Sequence, residues 1–294
     1  MLHKSIIVSS LIVSLFLVTS APAADQALKP YFLGYRGAGS IEAKLPEVKA
    51  GLTQKGFQIV GEYEPYKGAH VLAITSDALK SVAARSDFGA YGAILRVTVT
   101  DTGKEIQVAA TNPRYYAAAY RMQDGLDLVA ATLGQAINKT AEFGSEEGMT
   151  AAKLRKYHYM AMMPYFDDPI QLAAYPSQDQ ALAAVETALA AGKGGSSKVY
   201  RVDVPGKKEA VIGVAIAGGD GADAAIMKVI DKGELKNTPH LPYELVVSNG
   251  AVYMLHGKFR IALDFPDLTM GTFMKISGAP SAIEDKLRVI AGEK

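Results

Sequence analysis

Residues Pro239–Leu268, PHLPYELVVSNGAVYMLHGKFRIALDFPDL, decide the fold. Leu241, Tyr243, Leu245 and Val247 alternate with Pro242, Glu244 and Val246, which is the period-2 pattern of a strand with one covered face. Ser248-Asn249-Gly250-Ala251 then turns the chain. Asn-Gly fits the tight hairpin turn whose two central residues both need positive φ. Ala251 to Phe265 is expected to return as one long strand, bulged near Gly257 where the apolar phase shifts.

A second copy of this pattern lies upstream. In Ala93–Thr100, Leu95, Val97 and Val99 alternate with Arg96 and Thr98, and Asp101-Thr102-Gly103 turns the chain. Arg96 stands where Glu244 stands, and Asn112-Pro113 corresponds to Phe265-Pro266. The flanking elements repeat as well. Leu45–Gln54 is expected as a helix with Pro46 in its first turn, and Phe57–Tyr63 and His70–Thr75 as strands. Ser76 or Asp77 caps a helix, and Arg114–Asn138 is helical with a break near Gly125. The later half runs through a strand at Gln171–Tyr175, an alanine-rich helix at Gln178–Ala191, strands at Lys198–Val204 and Ala210–Ala217, and a helix at Ala222–Ile230. Both passes follow the order strand, helix, strand, strand, helix, strand, strand, helix.

The fold class is therefore α+β: two similar sheet-plus-helix domains arising from an internal duplication, in a pseudo-dimeric arrangement. The expected boundaries are 24–148 for the first copy, 149–169 for a connecting insert and 170–294 for the second. Residues 1–23 read as a signal peptide: Lys4, the apolar run Ser5–Val18, and the small residues of Ala21-Pro22-Ala23, with cleavage after Ala23.

Composition narrows the function classes. Lys plus Arg is 31 and Asp plus Glu is 30, a balance that offers no field to draw in nucleic acid or an anionic membrane. No membrane span is expected in the mature chain. The absence of cysteine removes disulfides, thiolate metal sites, a cysteine nucleophile and c-type haem attachment. With the leader, it fits a bacterial periplasm better than a eukaryotic secretory route, and the periplasm is the expected location.

Three segments resemble a known family: VKAGLTQKGFQIV (48–60), TNPRYYAAAYRM (111–122), and HLPYELVVSNG (240–250) followed by FRIALDFPDLTM (259–270). They look like the family catalogued as domain of unknown function 302, present here as two diverged tandem copies. The resemblance implies a compact sheet backed by helices, often dimeric, with no established activity. The chain departs from the family in carrying two copies and an insert.

Candidate site residues fall in two sets. Lys153–Asp168, KLRKYHYMAMMPYFDD, brings His158, Met160, Met162 and Met163 close together, an imidazole and thioether set that suits Cu(I). In an extended strand His158, Met160 and Met162 share a face; packing of the methionines in an apolar core is the alternative. The second set is His240, Glu244, His256 and Arg260, with Arg96 from the first copy. A closed hairpin would set Glu244 against Met254 or His256, giving a His–carboxylate pair able to orient a ligand or do acid–base work, or else an ordinary charge pair on a sheet face. The expected function is a non-enzymatic module that binds a small molecule or a partner protein in a cleft between the copies, lined by the insert and the 240–260 hairpin. A homo-oligomer is possible. The alternatives are copper handling and a His/Glu enzyme.

Overall fold

In the computed structural model the described residues are 26–160 and 162–292, so the expected signal peptide lies outside them. The first half runs β1 (Tyr31–Gly37), α1 (Ile41–Gln54), β2 (Gln58–Tyr66), β3 (Ala69–Thr75), α2 (Asp77–Ala84), β4 (Leu95–Asp101), β5 (Ile106–Thr111) and α3 (Pro113–Ala119). It continues through α4 (Asp127–Ala136), β6 (Ala141–Phe143) and α5 (Ala151–Leu154). The second half runs β7 (Ile170–Ala174), α6 (Gln178–Ala190), β8 (Ser196–Asp203), β9 (Glu209–Ile216), α7 (Asp223–Ile230), β10 (Tyr243–Ser248), β11 (Ala251–Met254) and α8 (Gly257–Asp264). Two further helices, α9 (Met270–Phe273) and α10 (Ala279–Ala291), close the chain.

The fold is α+β, with two antiparallel sheets. Their strand orders are β2-β3-β4-β5-β1-β6 and β7-β11-β10-β9-β8. Apart from β6, the second order is the first with each strand replaced by its counterpart and read from the other end. The irregularities coincide as well. Val60 is the extra residue where β2 pairs with β3, and Val199 is the extra residue at the matching place where β8 pairs with β9. Gly34 in β1 and Leu172 in β7 are extra in the same way.

Helices cover one face of each sheet. Leu245 and Val247 point into a core with Val185, Leu189 and Ile283 of α6 and α10. Glu244 and Val246 point the opposite way, as the strand period demands. There Val246, Val202, Val211 and Tyr200 join one continuous core with Leu72, Val97 and Tyr116 of the first half. The contact is close: a Cβ on Gly61 of β2 would lie 2.1 Å from the Val199 carbonyl oxygen of β8. No helix among the described residues is long and apolar enough to cross a membrane.

Local chemistry explains the elements. Ser40, Ser76 and Ser177 each accept a backbone N–H at the start of α1, α2 and α6. Asn112 does the same for α3, with Pro113 at its first position. The Asn249-Gly250 turn is present, with φ of 51° and 89°. Pro46 falls inside α1 rather than in its first turn, because Ser40 starts that helix earlier.

The return strand is shorter than its sequence pattern suggests. β11 ends at Met254, and the following residues form α8. The His256 ring accepts from the Lys258 N–H and caps the helix. Gly257 fits where a Cβ would sit 3.0 Å from Pro280. The phase shift near Gly257 is thus a change of period from 2 to 3.6, not a bulge. The counterpart of Asn112-Pro113 is accordingly His256-Gly257, not Phe265-Pro266.

Candidate functional site

The junction of the halves holds a cluster of charges. Arg96 lies on β4 and Glu244 on β10, at equivalent places, and they meet: Arg96 Nη1 donates to Glu244 Oε1 at 2.7 Å. Arg260 Nη1 donates to the other oxygen, Oε2, at 2.5 Å, and the Tyr200 hydroxyl donates to Oε1 at 2.6 Å. Arg96 Nε donates to the Pro239 carbonyl, and Arg260 Nη2 to the His240 carbonyl. One carboxylate is therefore shared by two guanidinium groups from different halves.

A second carboxylate completes the balance. Asp264, one turn after Arg260 on α8, has Oδ2 2.6 Å from His240 Nδ1 and 3.5 Å from Arg260 Nη2. Its Oδ1 accepts from the Tyr116 hydroxyl at 2.8 Å. Burial pushes the Asp264 carboxyl up, but Arg260 and His240 outweigh it and hold it below its usual range. Burial holds His240 below the usual imidazole range, against the pull of Asp264. A carboxylate can only accept, so His240 Nδ1 carries the proton and donates to Asp264. Neutral His240 then accepts at Nε2 from the Tyr243 hydroxyl, 3.0 Å away. Two arginines face two carboxylates, and their charges cancel.

The cluster is closed. Arg96, His240, Glu244, Arg260 and Asp264 are each at most 3% exposed. Tyrosines ring it: Tyr116 lies under the Arg96 guanidinium at 5.6 Å and Tyr243 near Arg260 at 5.9 Å. Tyr115 and Tyr31 donate to the carbonyls of Leu263 and Asp264 at the end of α8. Burial raises the phenols of Tyr31, Tyr115, Tyr116 and Tyr200, so all stay protonated donors.

Four expected site residues, Arg96, His240, Glu244 and Arg260, thus come together. His256 does not join them; it caps α8. Glu244 pairs across the sheet with Gly213, and it is Leu245 that faces Met254, so the expected Glu244–His256 approach fails because β11 ends first. Asp264 and Tyr200 join the site without being among the expected residues, and so does Tyr116, whose place in the sequence reads as a helix packing its tyrosines against the sheet. The four-residue spacing of Arg260 and Asp264 marks an ion pair on a helix, but it has no such meaning on a strand.

The connecting segment also differs from expectation. Met160 and Met162 lie in turns, not on a strand with His158, and Met162 has φ 67° and a fully exposed side chain. His158 Nδ1 sits 2.8 Å from its neighbour's carbonyl, Met160 O, and its ring packs on Tyr165. Met160 and Met163 turn instead to a pocket of about 90 Å³ shared with Tyr159, Lys258, Ala262 and Met270. Among the described residues no group of three or more His, Cys, Asp or Glu is placed to hold a metal ion.

No protein-family model, no curated protein and no solved structure matches this chain.

Proposed function

We propose that this is an exported, non-enzymatic binding module whose partner is a protein that inserts an apolar side chain into the methionine-lined pocket. One observation carries the reading: apolar surface is open at that pocket, while the reactive groups of the junction are closed. Met160 and Met270, both in its lining, are exposed large apolar residues. Methionine adapts its shape and is favoured at binding surfaces. The space, about 90 Å³, is smaller than the roughly 150 Å³ that holds a benzene. It suits a leucine or methionine side chain better than a cofactor. Lys258 at the rim favours an acidic neighbour on the partner.

Acid–base catalysis by Glu244 and a histidine has little support. Glu244 bonds to Arg96, Arg260 and Tyr200, and a general base must reach its substrate within hydrogen-bond distance. The pairing of Arg96 with Glu244 supports a different role for the junction, that of locking the halves in register. The matched strand orders and bulges support an origin by internal duplication, in line with the resemblance to domain of unknown function 302. Export rests on residues 1–23, and mass spectrometry of the mature protein checks it: the expected N-terminus is Ala24.

The pocket is tested with fluorescent peptides carrying a central leucine or methionine flanked by aspartates. Saturable binding that Ala262→Trp abolishes is expected. Equal binding by the variant contradicts the reading. A second reading, Cu(I) handling, draws on Met160, Met163 and Met270 lining one space. Calorimetric titration with Cu(I) separates the two: no saturable heat removes copper and leaves the peptide result untouched.

A further inference from the structure

A separate basin of about 460 Å³ lies where the two halves meet, away from the methionine pocket. The first half contributes Tyr66, Lys67, Thr100 and Asp101 from the β2–β3 turn and the end of β4; α7 and the loop after it contribute Lys228, Asp231, Lys232 and Lys236. Four ammonium groups therefore surround one space with two carboxylates, and the carboxylates are already engaged. Asp231 accepts from the Asn237 N–H with both oxygens, at 3.0 and 3.1 Å, and Asp101 accepts from the Gly103 N–H. Lys236 donates to the carbonyls of Asp231 and Gly233, which pins it at the wall. Among the described residues the ammonium groups of Lys67, Lys228 and Lys232 make no hydrogen bond or ion pair. That is a local excess of positive charge in a chain with 31 basic and 30 acidic residues.

We propose that this basin binds a compact polyanion carrying two phosphate or sulfate groups, held between the halves by Lys67, Lys228 and Lys232. Lysine is a point-charge donor that suits such oxygens. The volume falls in the range of small-ligand sites, and such sites favour junctions between structural units. The floor is prearranged: the Tyr66 hydroxyl and Thr100 Oγ1 both bond to Thr238 Oγ1 at 3.0 Å. A ligand there touches both halves, so its binding energy adds to the stability of their junction.

The test is titration of the purified chain with inorganic pyrophosphate in low salt, followed by calorimetry and by the thermal midpoint. Saturable binding and a raised midpoint are expected, with orthophosphate weaker. The Lys67→Gln/Lys228→Gln/Lys232→Gln variant weakens binding at least about tenfold, which matches the loss of three exposed charge contacts. Lys55→Gln/Lys153→Gln/Lys193→Gln, none of which lines the basin, leaves it unchanged. Absence of saturable binding, or equal binding by both triple variants, overturns the proposal.

Discussion

The two halves share a framework and differ in what they place on it. On β4 the inward position holds Arg96; on β10 the equivalent position holds Glu244, and the two bond to each other. On α3 the fourth residue after the cap is Tyr116; on α8 it is Arg260. On β2 the residue after the bulge is Gly61, and on β8 it is Tyr200. Each difference is complementary across the junction. The glycine makes room for the crossing of β2 and β8, and the tyrosine reaches the shared carboxylate. Such complementarity fixes which faces meet more than it adds net stability, since buried ion pairs lose much of their attraction to desolvation.

Breaking that complementarity has the largest expected effect. Glu244→Gln leaves the buried Arg96 without a counter-ion and Arg260 with only its longer contact to Asp264, and a loss of about 3–5 kcal/mol in urea unfolding is expected. Gly61→Ala comes next. Its Cβ would meet the Val199 carbonyl oxygen at 2.1 Å, backbone that cannot swing aside, so a loss of about 1–3 kcal/mol is expected by the same measurement.

A smaller effect depends on pH. Asp223 at the start of α7 accepts from Tyr63 of the other half at 3.0 Å and from the Ile216 N–H at 3.3 Å. Burial pushes it up to about 7, against those two donors, and pushes Asp231 to about 6. A raised carboxyl binds its proton more tightly folded than unfolded, so its stabilisation is full below the unfolded value and lost as pH rises through the folded one. His240 and Asp264 are shifted down, and their contributions fade only at lower pH, below the ordinary range of each group. For Asp223 and Asp231 that loss runs from the unfolded value of 3.8 up to the folded values of about 7 and about 6, so the thermal midpoint is expected to fall as pH rises to about 7 and to level off above it. Asp223→Asn should flatten that fall and melt a few degrees higher at the alkaline end; an unchanged profile argues against a buried proton there. The smallest stability effect belongs to Ala262→Trp at the half-buried pocket wall, within about 0.5 kcal/mol, while peptide binding disappears.

Much of the framework was legible because it is periodic and local. Leu95, Val97 and Val99 alternate as a covered strand must, and Asn249-Gly250 marks its own turn. The site was legible only in part. Arg96 and Glu244 could be recognised as equivalent positions of opposite charge, but their meeting depends on how one sheet lies on the other, which no local pattern encodes. Tyr115 and Tyr116 look like core aromatics, and so they are; that their hydroxyls end on α8, 148 residues away, comes from tertiary packing. The helix α8 itself hid behind an alternation that Phe259, Ile261 and Leu263 mimic, and with it hid the Arg260–Asp264 pair.

Whether Arg96 and Glu244 lock the halves as partners is answered by a double-mutant cycle in urea with Arg96→Met, Glu244→Gln and the double variant. A coupling energy of about 1–3 kcal/mol with a single cooperative transition is expected. Additive effects, to within about 0.3 kcal/mol, would contradict it.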